Sequence, residues 1–321
     1  INPNPDVTLS YFRIDGGGNY VQWPSAGLAI ESRYSGNINV SHGLLTNNGY
    51  NGVRISNLYG SSTDSVYVNL SDIKVHGSGY DGFNISNINY TVLNIDDVQV
   101  KDGFWDGFRI NSNYYSKINL TGVSVTNYGD EAISFSSNQT YTTVEVQLSN
   151  FRNNSTRGGQ YEILISGSYD YTNGGYTFNN NNFINQTSDY LVQTTSSGGG
   201  DDLDFTYNYW GAATTSEMDS LGSRTNISSI YDYHDYSSYS EIEYSNWLAT
   251  AVLQPMNVEL DNFNGVLGDT VMVGVHVTVP VDTHFISTEM TLTGFQDRLD
   301  FVGIETSGST TGNANWTVVS N

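Results

Sequence analysis

Acidic and amide side chains return at a regular interval in four similar strings of this sequence. The strings are GYNGVRIS at 49–56, GYDGFNIS at 79–86, FWDGFRIN at 104–111 and GDEAISFS at 129–136. Aligned without gaps, they predict an outward-facing column of Asn51, Asp81, Asp106 and Glu131, with Asp130 beside the last member. Carboxylates stacked a few ångströms apart raise each other's pKa or bind a cation. We therefore predict that Ca²⁺, the one cofactor that the sequence suggests, binds near Asp81, Asp106, Asp130 and Glu131.

An aromatic residue precedes three of these positions, namely Tyr50, Tyr80 and Trp105. An aromatic row beside carboxylates can hold a sugar ring by stacking, while the polar groups fix its orientation through hydrogen bonds. These three residues are therefore candidates for glycan binding. The alternative is that Asp, Asn and Tyr are here ordinary corner residues, which bond to the backbone and exclude water.

The strings belong to a longer repeat with intervals of 25 or 30 residues. Two apolar columns follow it, Ile30, Ile55, Ile85, Ile110, Phe135, Ile165 and Val40, Leu70, Ile95, Leu120. The segments around the second column alternate apolar and polar residues, as strands do. Three short strands and their corners use up about 25 residues. We predict an all-β fold in which residues 1–211 form a right-handed parallel β-helix of about 7–8 coils.

Two further columns have structural roles in this fold. Gly52, Gly82 and Gly107 are predicted to supply a tight corner that any side chain would obstruct. Asn39, Asn69, Asn94 and Asn119 are predicted to bond to one another along the axis, as stacked amides do.

The end of the repeat array carries the string DFTYNYWG at 204–211. Together with the segment up to Leu248, it resembles the Asn-Tyr-Trp-Gly ending of extracellular right-handed parallel β-helix proteins, which are common among archaeal surface proteins. The resemblance implies an extracellular or cell-surface location. It also implies that Trp210 covers the open end of the stack, with 212–255 as a capping and connecting segment.

From Met256 onward, the pattern of the sequence changes. GDTVMVGVHVTVP at 268–280 alternates from Val271 to Val279, as a long antiparallel strand with one buried face does. With EMTLTGFQDRLDFVGIE at 289–305, it resembles the opening half of a cohesin-like β-sandwich. That family's domain is longer than residues 256–321, so dockerin binding is not implied for this partial sandwich.

A second resemblance concerns catalysis. WDGFRI and GDEAISF, on consecutive repeats, resemble the Asp motifs of polygalacturonase-type glycoside hydrolases. The resemblance implies that Asp106, Asp130 and Glu131 supply the general acid and base about a glycosidic bond. The family's following His and its Arg-x-Lys motif are missing, because the next repeat reads RGGQYEILIS. A polyuronide substrate needs those cations, whereas an uncharged glycan does not.

The charge composition of the chain limits its binding partners. The chain of 321 residues has 33 Asp plus Glu against 11 Lys plus Arg, a net charge of −22. This charge repels nucleic acid and anionic lipid. No apolar run approaches the roughly 20 residues of a membrane span. Asn-X-Ser/Thr sequons suggest an exported glycoprotein, and the glycosylation candidates are Asn138, Asn154, Asn185 and Asn226.

Two functions fit these observations. The first is a structural subunit of an extracellular surface assembly, such as a surface layer, sheath or filament, with copies of itself as partners. The second is a glycan-binding or glycan-cleaving protein. The sequence favours the first, non-enzymatic function because the cations that a polyuronide enzyme uses after Glu131 are missing. An incomplete sandwich also predicts that either the natural chain continues and supplies the missing strands or a neighbouring subunit adds one. INPNPDVTLSYF at 1–12 is one possible donor, because DVTLSYF alternates and its Asn/Pro-rich lead could act as a free arm.

Overall fold

The computed structural model describes residues 6–17, 25–158, 161–166, 175–184, 188–196 and 202–252, and the backbone alone at 257–260 and 275–278. The side chains of residues 137–140 are also outside the described part. Ile1–Pro280 is one compact unit, and residues 281–321 lie outside the described part. Within the described ranges, no helix has the length and apolar character needed to cross a membrane.

Parallel strands form two long sheets. The larger sheet has the order β1 (Val7–Asp15), β3 (Gly36–Thr46), β5 (Val66–His76), β7 (Thr91–Lys101), β9 (Lys117–Thr121), β12 (Thr143–Gln147), β15 (Gly175–Asn179), β18 (Asp202–Asp204) and β20 (Glu241–Glu243). Beside this path, β10 (Ser124–Thr126) pairs with β7 and with β13 (Asn150–Arg152), which pairs with β16 (Asn182–Ile184). The second sheet has the order β2 (Ala26–Ser32), β4 (Asn51–Tyr59), β6 (Phe83–Asn89), β8 (Phe108–Tyr114), β11 (Ile133–Thr140), β14 (Tyr161–Ile165), β17 (Tyr190–Thr194) and β19 (Ile230–Tyr231).

Neighbouring strands in each sheet are one repeat apart in the chain, so the chain winds into a parallel β-solenoid of about six turns. This confirms the predicted all-β parallel coil. The ladder ends in β18, β19 and β20, which have only 3, 2 and 3 residues. The regular turns are therefore fewer than the predicted number.

The core of the solenoid is the pair of apolar columns that the sequence repeat predicts. Ile55 pairs with Ile30 on one side and with Ile85 on the other, and Phe135 lies between Ile110 and Ile165. The second column pairs in the same way, from Val40 through Leu70 and Ile95 to Leu120. All these side chains are buried. Removal of this apolar surface from water is the main stabilising contribution of each turn.

The glycine column forms the tight corner that was predicted. A Cβ atom on Gly52, Gly82 or Gly107 would lie 2.7, 2.6 or 2.6 Å from a backbone carbonyl oxygen of the next coil. Each would also overlap a valine side chain of the core. At these three coils a side chain would therefore push the coils apart.

The predicted asparagine column is an uninterrupted amide ladder. Asn69 donates through Nδ2 to Asn39 Oδ1 over 2.9 Å, Asn94 donates to Asn69 over 2.8 Å, and Asn119 donates to Asn94 over 2.6 Å. Each of these bonds joins two successive coils, so the column stabilises the register of four coils.

The C-terminal end of the solenoid is covered by a segment that contains a helix, α1 (Gly211–Leu221). Trp210, immediately before α1, is fully buried and stacks on Phe183 with ring centroids 4.8 Å apart. Trp247 packs on the core from the same segment, and its Nε1 donates to Asp219 Oδ1 over 2.9 Å. Trp210 is therefore buried against Phe183 of the preceding coil, and the helix is an addition to the predicted all-β chain.

The predicted donor segment is, in the part that the structure describes, a strand of the chain's own solenoid. Val7–Asp15 is strand β1, which pairs in parallel with β3 through contacts such as Leu9 opposite Val40. The alternation of DVTLSYF therefore reflects a first coil of the solenoid, and residues 1–5 lie outside the described part.

Little of the predicted C-terminal sandwich falls within the described residues. An antiparallel pair joins β21 (Asn257–Leu260) and β22 (Val275–Thr278), and β22 lies inside the predicted strand from Val271 to Val279. The other residues of the predicted sandwich lie outside the described part.

Candidate functional site

The predicted site residues lie at one corner of the solenoid, immediately before the strands of the second sheet. Asp81 precedes β6, Asp106 precedes β8, and Glu131 precedes β11. Backbone bonds fix their spacing, because Gly82 N donates to Asp106 O and Gly107 N donates to Glu131 O, each over 2.9 Å. The three carboxyl groups therefore follow one another coil by coil.

The first three members of the column are buried, whereas the predicted outward-facing column would be exposed to solvent. The side chains of Asn51, Asp81 and Asp106 are 0%, 0% and 1% exposed. Asp81 accepts hydrogen bonds from Asn84 Nδ2 over 2.9 Å and from the backbone N of Asp106 over 3.4 Å. Neighbouring side chains cover these carboxylates, and local donors bond to them, as burial of a charge requires.

Arg109 is the residue of this site that the sequence interpretation missed. Its Nε lies 3.2 Å from Asp81 Oδ2, and its Nη2 lies 2.9 Å from Asp106 Oδ2. The guanidinium group also lies over the ring of Tyr80, 5.7 Å from its centroid. The signal was present in the repeat, because Arg54 and Arg109 both stand three residues after a member of the Asn51–Glu131 column.

Three carboxyl groups form a cluster at the Glu131 end of this column. Oxygen atoms of Asp106, Asp130 and Glu131 lie within 4.8 Å of one another, and Asp130 and Glu131 are half-buried. Burial raises the pKa of Glu131, and the neighbouring Asp106 carboxylate raises it further. Burial also raises the pKa of Asp130. We call these three residues the carboxylate cluster.

Asp81 is near this cluster but outside it. Its oxygens are engaged by Asn84, Arg109 and the backbone of Asp106, and burial raises the pKa of its carboxyl group. The structure therefore brings together three of the four predicted metal ligands.

The aromatic row runs beside the carboxylates as predicted, but its rings are arranged differently from a flat sugar platform. Tyr50 and Tyr80 stack face to face, with centroids 4.5 Å apart and planes 9° apart, so each covers one face of the other. Trp105 is tilted by 49° relative to Tyr80 and is 37% exposed. Of the three, Trp105 is therefore the best placed to stack on a ligand.

A second arginine lies next to Trp105. Phe104 contacts the Trp105 ring edge to face at 5.7 Å, and the Arg157 guanidinium lies 3.5 Å from the centroid of the Phe104 ring. Arg157 also lowers the pKa of Asp130, against the larger effect of burial. The coil after Glu131 thus does supply a cation to this corner, although no basic motif marks it in the sequence.

Two shallow depressions lie elsewhere on the solenoid. One, of about 380 Å³, is lined by Glu31, Ser32, Arg33, Asn57 and Tyr59. The other, of about 490 Å³, is lined by Ser65, Tyr90, Thr91, Val92, Tyr115, Ser116, Lys117 and Tyr141. Neither contains a member of the carboxylate cluster, so the concentration of titratable groups, and not concavity, marks the candidate site.

The four glycosylation candidates have different surroundings. Asn154 is fully buried, and its Nδ2 donates to Val125 O over 3.1 Å and to Glu162 Oε1 over 2.6 Å, so a glycan cannot be attached to it in the folded chain. Asn226 is exposed. The side chains of Asn138 and Asn185 lie outside the described part.

Fold and site together define a parallel β-solenoid with a carboxylate cluster, two arginines and an aromatic row at one corner. No protein family, curated protein or solved structure that we compared matches this chain.

Proposed function

We propose that this protein binds a glycan at the corner formed by Trp105 and the carboxylate cluster. The observation that carries the proposal is the position of Trp105, which is exposed in the same turn that brings Asp106 beside Asp130 and Glu131. A sugar ring stacked on the indole would have its hydroxyl groups beside half-buried carboxylates, which accept hydrogen bonds.

Backbone geometry supports this arrangement. Trp105 N donates to Tyr80 O over 3.4 Å, and Asp130 N donates to Trp105 O over 3.1 Å, so Asp130 follows Trp105 in the same column. An aromatic ring and a carboxylate are thus held one coil apart, about 4.8 Å along the axis. Two pyranose hydroxyl groups span a similar distance, so one ring can reach both side chains.

We propose binding rather than cleavage because the carboxylate of Asp106 is buried. It is 1% exposed, and its Oδ2 accepts hydrogen bonds from Ser134 Oγ over 2.8 Å and from Arg109. In this arrangement Asp106 is too buried to touch a glycan, which leaves Asp130 and Glu131 as the carboxyl groups open to one. Hydrolysis by these residues is therefore a separate outcome of the test below.

Replacing Trp105 by alanine is expected to weaken glycan binding at least tenfold, which corresponds to about 1.4 kcal/mol. The measurement is calorimetric titration of the full chain with a panel of neutral and acidic oligosaccharides, with release of reducing ends followed in parallel. Tyr115→Ala is the matched control, because Tyr115 is a similarly exposed aromatic residue (48%) that lines the depression with Tyr90 and Tyr141. Equal losses in the two variants, or no binding to any member of the panel, would contradict the proposal.

A second candidate function is the structural subunit of an extracellular assembly, which a different observation supports. Strand β1 ends the larger sheet, and no strand of the described residues pairs with its outer edge. Along it Val7, Leu9 and Tyr11 are 50%, 37% and 81% exposed. An open strand edge with apolar side chains is a site at which another copy of the chain can add.

Replacing Leu9 by lysine is expected to abolish self-association at this edge, because a charge at an open edge opposes strand addition. Light scattering and electron microscopy of concentrated protein would detect the change. Tyr67→Lys introduces the same charge at an exposed position (44%) in the middle of the sheet and should leave assembly unchanged. A parent chain that stays monomeric at high concentration would rule out this function.

A further inference from the structure

We propose that the carboxyl groups of Asp106, Asp130 and Glu131 bind one Ca²⁺ ion. Oxygen atoms of the three residues lie within 4.8 Å of one another. Calcium binds oxygen at 2.3–2.6 Å, so two ligands on opposite sides of the ion are about 4.6–5.2 Å apart. One ion can therefore contact all three groups. This site does not depend on the glycan-binding function proposed above.

The side chain of Asp106 gives a second and independent reason. Its Oδ2 is engaged by Ser134 and Arg109, whereas its Oδ1 is buried and, while Glu131 is ionised, accepts no hydrogen bond from the residues that the structure describes. A protonated Glu131 would donate to Asp106, and a bound cation would displace that proton. A buried carboxylate oxygen without a partner carries a large desolvation cost. With Oδ2 committed to the two donors, Oδ1 is the oxygen left to face the cluster, where a cation would satisfy it.

The remaining ligands of the ion would come from water. Calcium takes six to eight oxygens in a flexible arrangement. Asp130 and Glu131 are half-buried, so the outer side of the cluster is open to solvent. Magnesium gives up its water reluctantly and demands a stricter geometry, so we expect it to bind this corner more weakly than calcium.

The charges around the cluster favour a divalent ion. Asp81 and the cluster bring four carboxylates, and Arg109 and Arg157 bring two guanidinium groups. When all are ionised, the corner has two more negative than positive charges. Both guanidinium groups already have contacts, because Arg109 bonds to Asp81 and Asp106 and Arg157 lies on the ring of Phe104. One Ca²⁺ ion balances the excess.

The test is calorimetric titration of CaCl₂ into the full chain after treatment with a chelator, at fixed pH and ionic strength. We expect one ion per chain and a higher melting temperature with calcium than with chelator, as ligand linkage requires. Asp130→Asn and Glu131→Gln should each lower the affinity at least tenfold. Asp96→Asn removes one negative charge from an exposed position of β7 and should leave the affinity unchanged.

Terbium luminescence locates the ion. Tb³⁺ bound at the cluster would be excited through the adjacent indole, so Trp105→Phe should reduce the sensitised emission while leaving the calcium affinity intact. Absence of both heat and a melting shift in the parent chain would overturn the proposal. So would an affinity that Asp130→Asn and Glu131→Gln leave unchanged, or that Asp96→Asn lowers equally. If one cluster variant fails to fold, the other and the terbium measurement still decide.

Discussion

Replacing Glu162 by glutamine is expected to stabilise the protein above pH 7 by about 3 kcal/mol. Glu162 is fully buried, and its Oε1 accepts a hydrogen bond from Asn154 Nδ2 over 2.6 Å. Burial raises its pKa from 4.5 to about 7, against the opposing effect of Asn154. Glutamine keeps the acceptor oxygen and carries no charge at any pH, so it removes the cost of ionising a buried group.

The direction with pH follows from the raised pKa. Between pH 4.5 and 7 the folded chain holds a proton on Glu162 that the unfolded chain has lost. The free energy of unfolding therefore falls as pH rises through this window, and this contribution is fully present only below it. The glutamine variant lacks that decline, so the two proteins should differ little at pH 4 and most above pH 7.

Urea unfolding at a series of pH values measures this difference. Other buried carboxyl groups titrate in both proteins, so the comparison isolates Glu162. Asp96→Asn is the control, since it removes a carboxylate from an exposed position, and it should not reproduce the gain of about 3 kcal/mol above pH 7. Parallel pH profiles for the parent chain and the Glu162→Gln variant would contradict the prediction.

Replacing Gly82 by alanine is expected to destabilise the solenoid by about 3 kcal/mol, the upper end of the range for overpacking a core. The new methyl group would overlap Val100 Cγ1 and lie 2.6 Å from the carbonyl oxygen of Gly107. That oxygen accepts a hydrogen bond from Phe83 N over 2.8 Å. The clash therefore cannot be relieved without loosening a bond of the ladder.

The same column supplies the control. Ala132 follows Gly107 and already carries a methyl group within the fold, fully buried. Ala132→Gly should cost only about 1–2 kcal/mol, because glycine loses more conformational freedom on folding and one buried methyl group is lost. Thermal unfolding followed by circular dichroism compares the two variants. A Gly82→Ala protein as stable as the Ala132→Gly protein would show that the corner is less tight than the distances indicate.

The interior of the fold could be predicted from the sequence because a strict period determines it. A side chain that recurs every 25 or 30 residues must occupy the same place in each coil, and alternation tells which side of the strand it takes. Ile85 and Ile110 therefore pair as the repeat predicts. The asparagine ladder follows from the same reasoning, since identical polar groups in register can bond to one another.

The corners could not be predicted in the same way. At a corner, alternation tells which face of the sheet a side chain takes but not whether its neighbours cover it. Asp81 and Asp106 are buried because Asn84 and Arg109, three residues after each, bond to their carboxylates and cover them. The repeat revealed the spacing of the carboxylates but not their burial.

Helix α1 was missed for a different reason. Its sequence, GAATTSEMDSL, begins with glycine and has Thr and Ser in its interior. Trp210, at its N-cap position, makes no side-chain capping hydrogen bond. Propensity and capping residues thus give little signal. The helix is stabilised by tertiary packing, with Thr214, Thr215 and Met218 buried.

The in-register ladder also has a mechanical consequence. Each coil is bonded to the coils before and after it, and these bonds point along the axis of the solenoid. Tension between the two ends of the chain would therefore load the bonds of the outermost coil first and detach it while its neighbours stay folded. A released coil of 25 residues adds about 80–90 Å of extended chain. The solenoid would lengthen in discrete steps set by its repeat, so it could absorb a pull without losing its whole structure at once.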